Sequence, residues 1–248
     1  MLAVTEPTGK PWTHESDLIH ARAGHDTAAA NDSIFVVGGF DADAVLGFLE
    51  ECPRQGPSEW NDRPAMPTRR TNAAAAALND LVYVAGGRDL ADRPLRKVEV
   101  YDPKKRTWAE GTDLPDPRAQ AGAAGLGGVL YMAGGFVEEH GKLPPSNSVL
   151  ALIPGGIWTP RASMPTARAR LRLVAAGEYL YAIGGQNTAG ASVPAVERYS
   201  PAENTWTTQA PMHHDRGLPG SNGQDLWMKI FRRLASGGGH RVVRRACR

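Results

Sequence analysis

Arg22, Arg70, Arg118, Arg168 and Arg216 each stand ten residues after a tryptophan: Trp12, Trp60, Trp108, Trp158 and Trp206. A guanidinium is a planar fork of donors that can hold a carboxylate through two hydrogen bonds. Arginines repeated at this spacing therefore offer anion-binding chemistry at several equivalent places. A residue present in every repeat also fits a second role, a structural bridge from its side chain to backbone carbonyls. Other chemistry is sparse. His213-His214-Asp215 is the one compact ligand-like cluster, and it falls near a turn, where a solvated loop is the expected setting. Cys52 and Cys247 are the only cysteines, too far apart in sequence for a ligand pair or a disulfide framework. His14, His20 and His25 share no common face. No nucleophile elbow, phosphate loop or HExxH motif occurs. The residues alone point to a non-catalytic chain with no cofactor and no metal.

The elements that position these residues come from the same register. The tryptophans are separated by 48, 48, 50 and 48 residues. Twenty-three residues after each of the first four stands Phe35, Tyr83, Tyr131 or Tyr181. Three further on comes Gly38-Gly39, Gly86-Gly87, Gly134-Gly135 or Gly184-Gly185. Each glycine pair ends a short apolar run (IFVVGG, LVYVAGG, VLYMAGG, YLYAIGG), as a strand buried on both faces would. A second strand signal precedes Trp108 and Trp206, with Glu, Tyr and Pro nine, seven and five residues before the indole. Ala73–Ala77 invites a helical reading, but five alanines cannot hold an isolated helix. The matching segments contain glycine and strand-compatible residues, so the spacing predicts a strand of small residues near a crowded axis. Each unit then holds four strands. All length variation falls between the glycines and the next tryptophan, and Phe136–Asn147 is the longest variable loop.

The charge balance excludes some partners. The chain is +2 overall, but from Arg216 onward eight basic residues face Asp225 alone. The mildly acidic body argues against a phosphate-tracking surface, so nucleic acid is not an expected partner. No apolar run is long enough to span a membrane and no secretory signal stands at the N-terminus; the expectation is a cytoplasmic protein. Leu226, Trp227, Ile230, Phe231 and Leu234 recur at helical spacing, predicting a short C-terminal helix in a basic tail.

The double glycine followed by spaced Tyr and Trp resembles the kelch repeat, over roughly residues 11–216. Lys97–Gly135 and Ala195–Met212 are similar to blades of the BTB-kelch and F-box-kelch adaptors. Two units depart from the pattern: LEECPRQGPSEW before Trp60 is irregular, and SVLALIPGGIW before Trp158 lacks the Glu and Tyr. The resemblance implies an all-β kelch-type propeller over residues 12–216, after an extension at 1–11 and before the tail at 217–248. It would have four full four-stranded blades and an incomplete fifth, in a closed ring or an open arc. The count leaves an orphan strand after Trp12, and unpaired strand edges would favour self-association. The tryptophans are expected to be buried between blades.

In function, the resemblance implies a protein-interaction module, a scaffold or substrate-recognition protein. It would hold a peptide or protein surface through its loops. In such adaptors some matching arginines line the channel mouth and contact acidic peptides, which makes Arg22, Arg70, Arg118 and Arg168 partner-binding candidates. Phe40, Arg88, Phe136 and Gln186, just past the glycines, vary between repeats as specificity residues would. The enzymes of the family supply an alternative, a sugar-acid epimerase or metal oxidase with a site assembled from distant loops. The Tyr, Cys and two His of a copper radical site are not assembled here. Nor do Glu, Asp and His recur at the four-residue intervals of the iron-dependent specifier proteins.

Overall fold

The computed structural model describes residues 16–55, 59–139 and 141–213. All the regular elements among them are strands, and no helix there is long and apolar enough to cross a membrane. The strands form four antiparallel sheets of four, each a meander in chain order. Blade 1 holds β1 (Asp26–Ala30), β2 (Ser33–Val37), β3 (Leu49–Pro53) and β4 (Asn61–Arg63). Blade 2 holds β5 (Ala74–Leu78), β6 (Leu81–Ala85), β7 (Val98–Asp102) and β8 (Thr107–Glu110). After the two-residue β9 (Arg118–Ala119), blade 3 holds β10 (Gly122–Leu126), β11 (Val129–Ala133), β13 (Val149–Leu152) and β14 (Thr159–Arg161). Its long loop contributes β12 (Phe136–Val137), paired with β9. Blade 4 holds β15 (Arg172–Ala176), β16 (Tyr179–Ile183), β17 (Val196–Ser200) and β18 (Thr205–Thr208).

The blades stand around an axis, with β1 packed on β5, β5 on β10 and β10 on β15. The alanine run is a strand, as the spacing predicts: β5 is buried among inner strands too close for larger side chains. Two-residue turns with positive φ at both positions join the inner strands of three blades, for instance Asn31-Asp32 at 47° and 56°. Such turns match the right-handed twist of the strands they join. The unit runs from inner strand to the tryptophan-bearing outer strand, which corrects the strand count. β1, which follows Trp12, is not an orphan but the inner strand of a complete blade. Trp12, the N-terminal extension, Arg216, the expected fifth blade and the C-terminal helix lie outside the described residues.

The core lies between blades. Phe35, Leu49, Met66, Val82 and Tyr101 pack between blades 1 and 2. Tyr83, Leu114, Leu130, Leu152 and Trp158 do so between blades 2 and 3, and Tyr131, Met164, Leu173 and Tyr199 between blades 3 and 4. β15 and β1 do not pack in this way; an ion pair from Arg172 to Asp26 links blades 4 and 1.

The tryptophans differ from the expectation of full burial. Trp158 is buried, whereas Trp60, Trp108 and Trp206 are half-buried. Each indole N–H donates to a backbone carbonyl one repeat earlier: Trp60 to Ser16 (3.1 Å), Trp108 to Pro64 (2.7 Å), Trp158 to Thr112 (2.8 Å) and Trp206 to Ala162 (2.8 Å). The repeated indole therefore works as a hydrogen-bonded stitch as much as a core filler.

Candidate functional site

The repeated arginines face inward. The side chains of Arg22, Arg70 and Arg168 are fully buried, and Arg118 is 2% exposed. Arg70 donates to the carbonyls of Gly86 (3.2 Å) and Lys97 (2.7 Å), and Arg168 to those of Gly184 (2.8 Å) and Ala195 (3.0 Å). Three of them meet a buried glutamate on the third strand of their own blade: Arg22 with Glu50 (2.8 Å), Arg70 with Glu99, and Arg168 with Glu197 (2.6 Å). Burial pulls each guanidinium below its ordinary pKa, and the glutamate pushes it back up. The arginines as partner-binding residues must therefore be corrected. A peptide carboxylate cannot reach groups sealed behind strands and already matched in charge.

Arg118 is the exception that explains the irregular third unit. Leu150 takes the glutamate's place opposite the middle of β11, so the guanidinium has no carboxylate on its own third strand. It donates instead to the Gly134 carbonyl (2.8 Å) and to Ser148 Oγ (2.8 Å). Burial holds its pKa down to about 10, against the weaker pull of Asp116.

The double glycine belongs to the same framework. Gly39, Gly87 and Gly135 donate N–H to the carbonyls of Arg70, Arg118 and Arg168 in the next blade, at 2.8–3.0 Å. A Cβ on Gly38, which has a φ of +65°, would stand 2.5 Å from the Arg70 carbonyl oxygen. Only glycine combines that backbone angle with that approach.

The residues just past the glycines follow the exit of each blade's second strand, at the same end of every blade, the glycine-pair mouth. Phe40, Gln186 and Arg88 exchange paired backbone hydrogen bonds with Ala23, Ala169 and Thr71, and Phe136 pairs with Ala119 through β12 and β9. Phe40 is 43% exposed, while Phe136 and Gln186 are half-buried. Arg88 is tied to its own loop through Asp92, at 2.9 Å to the carbonyl and 3.0 Å to the carboxylate.

One residue beyond those partners lies a position that reading the repeat missed. Gly24, Asn72, Gln120 and Arg170 each follow their tryptophan by twelve residues, all at positive φ between 55° and 63°. They join blade to blade in a chain of backbone hydrogen bonds: Asn72 N–H to Gly24, Gln120 to Asn72, and Arg170 to Gln120, each 2.8 Å. The backbone is uniform while the side chains change from nothing to carboxamide to guanidinium. Arg170 Nε donates to Gln120 Oε1 (3.0 Å), and among the described residues no carboxylate pairs with it. The signal was present in the register, but a position whose residue type changes is silent when repeats are found by identity.

Candidate metal donors gather at one place among the described residues, His20, Glu50 and Asp62 on blade 1. Cys52 is buried at the strand position that Tyr101 and Tyr199 hold in blades 2 and 4. His213 is exposed, and the rest of its cluster, with Cys247, lies outside the described residues.

The kelch motif matches residues 69–115 and 167–213. These segments carry the buried Arg–Glu pairs Arg70–Glu99 and Arg168–Glu197, with their glycine pairs and indoles. Beta-scruin of Limulus polyphemus is 34% identical over 74 residues, which cover 30% of this chain and 8% of that protein's length. The solved structure of YjhT superposes with a TM-score of 0.70 at 17% identity, over 82% of this chain and 70% of that one.

Proposed function

We propose that the chain, a kelch-repeat β-propeller, is a protein-interaction module that grips an acidic peptide or protein surface at the glycine-pair mouth. The observation that carries this reading is the row of Gly24, Asn72, Gln120 and Arg170. Their backbones repeat from blade to blade, their side chains do not, and the row ends on a cation with no carboxylate partner among the described residues. A framework that keeps its geometry while varying the presented chemistry is what selective recognition requires. Phe40 adds an exposed aromatic anchor, and Gln186 and Phe136 border Arg170 and Gln120 through the bridging residues beside them. Arginine and aromatic side chains are both enriched at the cores of protein interfaces.

The test is affinity capture with mass spectrometry on wild type and on a Phe40→Ala, Arg170→Ala, Gln186→Ala variant. The variant should keep the wild-type circular dichroism and melting temperature while losing partners that the wild type captures. Identical capture by both proteins would refute the mouth as the binding surface.

A further inference from the structure

Three positions recur in all four blades and depart from the pattern of blades 2 and 4 in blades 1 and 3. The first lies two residues before the repeated arginine: His20, Thr68, Asp116 and Thr166. The second is the third-strand residue that meets the arginine: Glu50, Glu99, Leu150 and Glu197. The third is its partner across to the outer strand: Asp62, Glu110, Pro160 and Thr208. In blades 2 and 4 the threonine hydroxyl donates to the glutamate, at 2.9 Å from Thr68 and 2.6 Å from Thr166. That arrangement is complete as a structural contact. In blade 1 alone, all three positions carry side chains that can ligate a metal.

The blade 1 histidine stands between two carboxylates. His20 Nδ1 lies within hydrogen-bond reach of Glu50 Oε1, at 3.3 Å, and 3.5 Å from Asp62 Oδ1. Zinc–nitrogen and zinc–oxygen bonds of about 2.0–2.2 Å set tetrahedral ligand atoms about 3.3–3.5 Å apart. The His20 ring is fixed by stacking on Phe48, centroids 3.9 Å apart and planes 20° from parallel. Glu50 is oriented by Arg22 (2.8 Å) and by the backbone N–H groups of Ile19 (2.8 Å) and His20 (3.2 Å). Ligating carboxylates and imidazoles need this kind of outer support. Asp62 is 57% exposed and His20 32%, so an ion can enter from solvent.

We infer that blade 1 carries a zinc-type divalent metal site with His20 Nδ1, Glu50 Oε1 and Asp62 Oδ1 as ligands and water in the fourth position. The bound ion would tie the segment entering the first blade to its third and outer strands.

The probe is zinc chloride, titrated calorimetrically into chelator-treated full chain and followed by thermal melting. The decisive variant is His20→Thr, which installs the residue that blades 2 and 4 use and so keeps a hydrogen bond to Glu50. Asp62→Asn, at an exposed position, serves as a second variant. Wild type should bind one more equivalent of zinc than either variant and gain melting temperature that His20→Thr does not. Cobalt(II) should give the intense visible absorption of a tetrahedral site, lost in His20→Thr. Equal zinc stoichiometry in wild type and His20→Thr, or no zinc-dependent rise in melting temperature in the wild type, would overturn the assignment.

Discussion

Arg168 and Arg170 are two residues apart on the same connector, and they do opposite work. Arg168 is sealed inside its blade on three carbonyls and a glutamate, and every described blade has an arginine there. Arg170 stands half-buried with no carboxylate partner among the described residues, where the other blades place Gln120, Asn72 and Gly24. Constancy between repeats therefore marks the framework, whereas the row two residues on keeps its backbone and varies its side chain. Within the framework, the cost of a buried cation is met differently by different blades. Blades 1, 2 and 4 match it with a strand-borne glutamate, and blade 3 meets it with a hydroxyl and carbonyls alone.

The largest expected effect breaks a matched pair. Glu99→Ala leaves Arg70 buried without its counter-charge and strips the acceptor from the Thr68 hydroxyl and N–H. Denaturant unfolding should show a loss of about 3–5 kcal/mol. Trp158→Ala comes next, about 3 kcal/mol for a buried indole and its hydrogen bond. The half-buried Trp108 should cost visibly less, and equal losses would mean that burial does not rank the tryptophans.

A smaller effect has the opposite sign. Tyr101 Oη is buried without a partner, whereas Tyr199 Oη donates to Asn204 (2.7 Å), five residues on in the equivalent turn. Arg106 holds that place in blade 2, at a φ of 56° that suits asparagine better. Arg106→Asn should therefore stabilise by about 1 kcal/mol, read as a raised unfolding midpoint.

The smallest change concerns the blade without a glutamate. Leu150→Glu gives Arg118 a carboxylate but sacrifices an apolar contact, so stability at neutral pH should move by less than about 1 kcal/mol. Its signature is in the pH dependence. Arg118 has a folded pKa lowered by burial to about 10, so in the alkaline window above that pH the unfolded chain binds more protons and this group's contribution rises with pH. That rise should be present in wild type and smaller in Leu150→Glu when their unfolding free energies are compared across the window.

Much of the framework was readable because it repeats by residue type. The glycine pairs, the apolar second strands and the alanine strand β5 all lie where spacing puts them. Glu99 and Glu197 were visible as residues nine before a tryptophan, but nothing local ties them to an arginine 29 residues upstream. That pairing needs the strand register, and in blade 1 a different offset from the tryptophan hides Glu50 as well. His20, Glu50 and Asp62 were unreadable for the same reason: separate segments converge only after β3 pairs with β4. The positions past the glycines could be singled out because they neighbour a conspicuous motif. The row ending on Arg170 was not, since its signature is a backbone angle shared by unlike residues.

The split between framework and mouth is tested most directly by equilibrium unfolding of Arg168→Ala and Arg170→Ala side by side. The account predicts a loss of about 3–5 kcal/mol for Arg168→Ala, from an uncompensated Glu197 and three lost carbonyl contacts. For Arg170→Ala it predicts a change within about 1 kcal/mol, the worth of one half-exposed hydrogen bond. Equal losses in the two variants, or a larger loss in Arg170→Ala, would contradict it.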